Sequence, residues 1–304
     1  MRHRLLIPAA LALLLVLGAP TGAIGGVAVD PNLGDVVYGT VGGLRYASDP
    51  DTYAPSGFSS PETGCGGSLW RVLGGGSASG GPPGTAWLAF DRPLDYDDVD
   101  LTLDDGWLSG GFGPPAEADL TGYTICIREE NIRYRSTVVD SGASGLRTGS
   151  VMCGGTGWQV VTGSVAIATS QSWVNSSFPI DGDDANATPD DGWRGRVNDT
   201  AGGPGGFYVH AICVRGYSVR YVKGASAPLP AGGSVGVKVA CAPGEHVVGG
   251  GAKISGPPDH SRLVSTYPYD GGDANQIPDD GWRVRAYNVS AGALTVQPWA
   301  ICLG

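Results

Sequence analysis

The chain has little from which to build helices. Past residue 23 no stretch repeats apolar residues at helical spacing over several turns. Charged residues are only 16% of the sequence, whereas glycine, a poor helix former, occurs 52 times in 304 positions. These shortages predict a turn-rich β protein. Positive charge is also scarce, with 19 Lys and Arg against 29 Asp and Glu. A surface that grips phosphates needs the opposite balance, so nucleic acid is not an expected partner.

Catalytic side chains are thin as well. Beyond the N-terminus the histidines are His210, His246 and His260, and no two share a catalytic spacing. There is no nucleophile elbow leading into a helix, no His-Glu-x-x-His helix and no pair of cysteines at metal-ligand spacing. The sequence therefore predicts a protein that is not an enzyme.

Long apolar runs are confined to one place. Arg2 and Arg4 precede an apolar run from Leu5 to Leu17, followed by small residues up to Ala23. That order is a secretory signal peptide, and the run is too short to span a bilayer. The expectation is a secreted, extracellular chain with no membrane insertion, cleaved near Ala23, with an irregular lead-in over residues 24–35.

The rest of the chain is a triplication. Arg-Tyr pairs stand at Arg45-Tyr46, Arg133-Tyr134 and Arg220-Tyr221, and Asp-Asp-Gly-Trp recurs at Asp104 to Trp107, Asp190 to Trp193 and Asp279 to Trp282. Cysteines flank each tetrad: Cys65 and Cys126, Cys153 and Cys213, Cys241 and Cys302. The first cysteines of successive repeats are 88 residues apart. A fixed period of that size marks internal duplication. Only pairing within each repeat treats the three alike, which predicts three intra-repeat disulfides in an oxidising compartment.

The expected division is repeat one at residues 36–126, repeat two at 127–213 and repeat three at 214–304. No Pro/Ser/Gly linker separates them, so packed lobes are expected. Within repeat three, strands are expected at Ser218 to Lys223, Ser234 to Cys241, His246 to Ser255, Arg262 to Tyr267, Trp282 to Asn288 and Leu294 to Cys302, with turn residues between them. Trp282 to Tyr287 alternates apolar and polar residues, the mark of a strand with one buried face. The fold class is all-β: three homologous antiparallel β units of about 88 residues, arranged like a β-prism or as tandem small sandwiches. Gly74-Gly75-Gly76 and Gly249-Gly250-Gly251, with Thr162-Gly163-Ser164 between, read as bulges or close sheet contacts rather than phosphate loops.

The run Cys-x-Pro-Gly, Val-Val-Gly-Gly-Gly, Pro-Asp-Asp-Gly-Trp and Ala-Ile-Cys of repeat three resembles a repeat of secreted, largely uncharacterised bacterial proteins. The likeness covers all three repeats; repeat one lacks the proline before Asp104 and repeat two lacks the triple glycine. It implies an exported β-rich module and offers no catalytic residues to carry over.

The candidate binding residues are the acids before each Trp. Asp95, Asp98, Asp100 and Asp104, then Asp181, Asp184, Asn186 and Asp190, then Asp270, Asp273, Asn275 and Asp279 put oxygen side chains at matching positions. A compact set of oxygens suits calcium. The competing expectation is that Asp and Asn build Asx turns, with the tetrad's glycine closing a left-handed turn. Trp107, Trp193 and Trp282 read as core plugs. The functional expectation is a secreted, non-enzymatic extracellular binding or cell-envelope module whose partner is a glycan or a surface protein, stabilised by calcium. A purely structural exported protein and an extracellular polysaccharide hydrolase are the alternatives.

Overall fold

The computed structural model describes residues 28–29, 36–52, 57–67, 69–81, 84–95, 102–113, 119–140, 144–167, 172–182, 184–199, 206–256 and 261–304. The leader at residues 1–23 and most of the lead-in lie outside them. Among the described residues there is no helix, and hence none long and apolar enough to cross a membrane.

Repeat one and its lead-in contribute β1 (Ala28–Val29), β2 (Val36–Val41), β3 (Leu44–Thr52), β4 (Phe58–Ser59), β5 (Glu62–Gly64), β6 (Arg71–Ser79), β7 (Trp87–Leu94), β8 (Gly106–Phe112) and β9 (Asp119–Ile127). Repeat two contributes β10 (Ile132–Val139), β11 (Gly145–Met152), β12 (Trp158–Ile167), β13 (Ser172–Ile180), β14 (Gly192–Asp199) and β15 (Phe207–Arg215). Repeat three contributes β16 (Val219–Lys223), β17 (Ala227–Leu229), β18 (Ser234–Ala240), β19 (His246–Ser255), β20 (Ser261–Tyr269), β21 (Gly281–Asn288) and β22 (Leu294–Leu303). All six strands expected in repeat three are present, with a short seventh at β17. Along β21, Trp282, Val284 and Ala286 are buried while Arg283 is exposed and Arg285 and Tyr287 are partly so, as alternation requires.

The strands form three antiparallel sheets, and each sheet is shared between two repeats. The first runs β1-β2-β3-β9-β6-β20-β21-β18, the second β10-β15-β12-β7-β8-β4 with β5 also on β8, and the third β11-β14-β13-β19-β22-β16 with β17 also on β22. Repeat one therefore gives β4, β5, β7 and β8 to the sheet of β10, β12 and β15, repeat two gives β11, β13 and β14 to the sheet of β16, β19 and β22, and repeat three gives β18, β20 and β21 back to the sheet of β3, β6 and β9. The seams have matching pairs: Ser77 with Thr266, Ala166 with Phe90, and Ala252 with Ser177. Separate tandem sandwiches would keep each repeat's strands in its own sheets. The shared sheets are the prism-like arrangement instead, with one core running through all three repeats.

Three β-bulges make the inner strands meet. The pairing of β6, β12 and β19 with their neighbours shifts register between Val72 and Gly74, between Val160 and Thr162, and between Val247 and Gly249. A side chain at Gly74 would put its Cβ 2.0 Å from the carbonyl oxygen of Val248, and one at Gly249 would meet that of Val161 at 2.1 Å. Both features expected of the glycine stretches, bulge and close approach, are present. The freed carbonyls at the bulges are taken in a ring: Tyr46 donates to Val247 at 2.7 Å, Tyr134 to Val72 at 2.7 Å and Tyr221 to Val160 at 2.6 Å. Each tyrosine comes from a different repeat than its acceptor.

The tryptophans plug the core, as expected. Trp107, Trp193 and Trp282 are about fully buried, and each lies flat on a glycine of its own repeat. A Cβ at Gly75, Gly163 or Gly250 would fall 2.2 to 2.3 Å from the indole. This explains why repeat two, without a triple glycine, keeps the middle one. The indole N–H groups of Trp193 and Trp282 donate to Ser177 at 2.8 Å and Thr266 at 2.7 Å. In repeat one the same strand position is Asp91, which accepts from Ser77 at 3.3 Å and lies beside a central cavity of about 10 Å³. The three disulfides join Cys65 to Cys126, Cys153 to Cys213 and Cys241 to Cys302. Each closes a loop of 60 or 61 residues. On the chain-entropy account each such loop destabilises the unfolded chain by about 4 kcal/mol.

Two outcomes follow from this packing. Gly163→Ala should lower the unfolding free energy by about 1–3 kcal/mol in a denaturant titration, because the new methyl overlaps Trp193. Gly236→Ala, with nothing within 4 Å of the added atom, should cost far less. Burial raises the Asp91 carboxyl from 3.8 to about 7, against the opposing pull of Ser109, Ser77 and Trp107. The folded chain then keeps a proton that the unfolded chain releases, so the contribution of this carboxyl to stability is fully present below about pH 4, is lost as pH rises to about 7 and levels off beyond. Asp91→Asn should flatten that slope and raise stability at pH 8 by up to about 4 kcal/mol, read from unfolding at a series of pH values.

Candidate functional site

The acidic loops lie at the end of the molecule where the bulges and disulfides sit. Their backbone explains the tetrad. The carbonyls of Asp104, Asp190 and Asp279 accept from the amides of Val72, Val160 and Val247 at 2.7 to 2.8 Å. Those of Asp105, Asp191 and Asp280 accept from Cys65, Cys153 and Cys241 at 2.8 Å. Each Asp-Asp pair thus ties its loop to a bulged strand and to a disulfide. The glycine that follows is not left-handed, contrary to the turn expected for it. A Cβ there would strike the carbonyl oxygen of the facing strand, at 2.5 Å for Gly106, 2.3 Å for Gly192 and 2.2 Å for Gly281.

Side chains of the loops in repeats two and three repeat the same Asx pattern. Asp184 accepts from the backbone amide of Asn186 at 2.9 Å and from its side-chain amide at 2.6 Å, while Asn186 accepts from the amide of Thr188 at 2.6 Å. Asp273, Asn275 and Ile277 match them at 2.9, 2.7 and 2.6 Å. Asp191 and Asp280 accept from Gly182 and Gly271 at 2.7 and 2.5 Å, and Asp270 from Gly272 at 2.9 Å. In repeat one Asp95 is partly buried, and Asp98 and Asp100 lie outside the described residues.

The structure gathers a different set of carboxylates from the one expected for calcium. Asp181, Asp184 and Asp191 bring oxygens within 4.8 Å of one another, and so do Asp270, Asp273 and Asp280. The second aspartate of each tetrad joins the group, whereas the first turns away to a side chain on the bulged strand. Asp104 pairs with Arg71 at 3.2 Å, Asp190 accepts from Gln159 at 3.2 Å, and Asp279 is 2.6 Å from Nδ1 of His246. Burial raises the carboxyls of both Asp190 and Asp279, and the bonds from Gln159 and His246 offset part of that rise.

Counting five residues from the first cysteine sets His246 beside Trp70 and Trp158, but the strand register does not. His246 matches Arg71 and Gln159, because the loop from Cys241 to Val247 is one residue shorter than its counterparts. The residue matching Trp70 and Trp158 is Glu245. The arginines beside the tyrosines follow suit: Arg45 and Arg133 sit over Trp70 and Trp158, at 6.0 and 4.0 Å from the ring centres. Arg220 instead makes a bidentate bond to Glu245. Among the described residues, Arg220 alone of these three arginines pairs with an acid in this way.

In repeat three the acidic loop and the loop 241–246 enclose a cleft of about 820 Å³, with Lys238, Tyr269 and Val41 also on its walls. Nζ of Lys238 lies 5.3 Å from the centre of the Tyr269 ring.

Two arrangements that could suggest catalysis are also present. Ser136 and His210 face each other on β10 and β15, with Oγ 2.6 Å from Nδ1. They are 74 residues apart, so no local motif could have shown the pair. Burial and Arg92 lower the imidazole to about 4, which makes it a weak base, and its buried Nε2 has no acid to orient it. Gly232-Gly233-Ser234-Val235-Gly236 spells a Gly-x-Ser-x-Gly, but it leads into strand β18, not a helix. His260 lies outside the described residues. The asparagines of three N-glycosylation sequons, Asn175, Asn198 and Asn288, are buried.

His246→Gln should be tolerated within about 1 kcal/mol, since Gln159 does the same work in repeat two. His246→Leu leaves the Asp279 carboxylate buried without that donor and should cost about 1–3 kcal/mol. Denaturant unfolding of both variants checks this.

No protein-family model matches the sequence, and no curated protein matches it. Among solved structures, one similar chain comes from work on the triple jelly roll fold and turret assembly in an archaeal virus. It aligns with 85% of this chain and 82% of that one at 10% identity, with a TM-score of 0.21.

Proposed function

We propose that this chain is a secreted, non-enzymatic extracellular or cell-envelope module that binds a glycan in the cleft of repeat three. The cleft itself carries the reading. It is the size of a small-ligand site and combines an aromatic ring, a histidine, an amide and several carboxylates, the mix of groups that meets sugar hydroxyls. Three disulfides suit an oxidising compartment, and the sequence of residues 1–23 supports export. A glycan array probed with the oxidised mature protein should give binding that Tyr269→Ala reduces at least about tenfold. The reading is wrong if no glycan binds, with or without calcium.

A second reading, calcium held by the loops, is favoured by the two carboxylate triads. A native-state ion raises the unfolding midpoint by mass action. Thermal unfolding in calcium and in excess chelator should then differ, and Asp273→Ala with Asp184→Ala should abolish the difference. Equal midpoints leave the acids as Asx turns only.

A further inference from the structure

The cleft is present in repeat three because of one small residue. Ala240 there matches Met152 of repeat two, both pairing with the glycine of the tetrad. Met152 reaches over its acidic loop, with Cε 2.5 Å from where a Cβ on Gly182 would stand and Sδ 2.9 Å from that on Gly192. At Gly271, which matches Gly182, the three nearest atoms all belong to Asp280. A methyl in place of a thioether chain leaves the space open.

The charges around that space are unbalanced. Glu245 is neutralised by Arg220, and Lys238 is drawn over the Tyr269 ring. Asp273, Asp279 and Asp280 remain on the wall of the cleft. Asp279 is 3% exposed, and its Oδ1 has no hydrogen-bond partner, although Oδ2 is held by His246. A buried carboxylate oxygen with an unused lone pair, on the same cleft wall as two more carboxylates, favours a cationic donor. A neutral sugar would bind chiefly by stacking on an aromatic face, and Lys238 already covers one face of Tyr269. Charge is therefore the stronger selector here.

We infer that the cleft of repeat three takes a ligand bearing a protonated amine, and that the glycan it recognises is an amino-sugar oligomer with free amines rather than acetylated ones. This rests on the glycan reading above. The ammonium lies against Asp273 and Asp280, and the sugar ring fills the space that Met152 occupies in repeat two. Calcium would compete for the same oxygens.

The test is calorimetric titration of the full oxidised protein with a glucosamine tetramer and with its N-acetylated form, at mildly acidic pH where the free amines are protonated. The free-amine oligomer should bind at least about tenfold more tightly, with affinity falling as salt rises. Ala240→Met should abolish binding while leaving the thermal midpoint unchanged, since the same side chain is accommodated in repeat two. Lys238→Gln should strengthen binding severalfold by removing a like charge. Equal binding of the two tetramers would overturn the charge inference and leave the glycan reading standing. Array hits unaffected by Ala240→Met would overturn the cleft as the site. Binding of calcium alone, with neither tetramer competing, would also overturn the inference, and absence of any glycan binding would overturn both readings.

Discussion

Closure of the molecule depends on a ring of three hydrogen bonds from tyrosine hydroxyls to bulged carbonyls. Each bulge frees one carbonyl that its own sheet cannot satisfy, at a place where the three inner strands crowd together. An unpaired buried carbonyl costs free energy comparable to a lost hydrogen bond. Tyr46, Tyr134 and Tyr221 remove that cost, and each does so for a different repeat. Because every repeat also lends half its strands to a neighbour's sheet, no repeat completes its sheets or its bulge without the other two. The cost of one broken contact is thereby spread around the ring.

The same logic governs the tryptophans. A flat indole can lie over a strand only where the strand has no side chain, which fixes Gly75, Gly163 and Gly250. Its buried N–H then needs an acceptor, and a hydroxyl supplies one in two repeats. In repeat one the matching residue is Asp91, which buries an ionisable group there and leaves the Trp107 indole N–H without a hydrogen-bond partner. Threefold repetition of the backbone thus tolerates chemical asymmetry in its centre.

Much of this was legible in the sequence. Strand positions in repeat three were readable to within a residue or two, and β19 to the residue, because side-chain alternation and turn residues are local signals. The disulfides followed from the period. Sheet membership was not readable: the pattern that makes β7 a strand says nothing of which sheet completes it. Which aspartate of the tetrad joins the other acids was not readable, since Asp279 and Asp280 are neighbours in sequence but take different partners, one His246 and one Asp270 and Asp273. The equivalence of His246 with Arg71 and Gln159 was not readable either, because a single-residue deletion after Cys241 shifts the count from the cysteine but not the register of the strand. The facing of Ser136 and His210 arises only when strands distant in sequence pair.

What the first aspartate of each tetrad requires is a hydrogen-bond donor, and three donors of different charge satisfy it: Arg71, Gln159 and His246. Likewise the arginine beside each tyrosine rests on a tryptophan in two repeats and on a glutamate in the third. The scaffold therefore constrains hydrogen bonding at this end of the molecule but not net charge or bulk. Residues whose charge and size are free to differ between equivalent positions are the ones through which equivalent loops can acquire different properties. The filled space beside Met152 and the open one beside Ala240 are two results of that freedom on the same backbone. Any activity at this end would then belong to one repeat, while all three share the work of holding it in place.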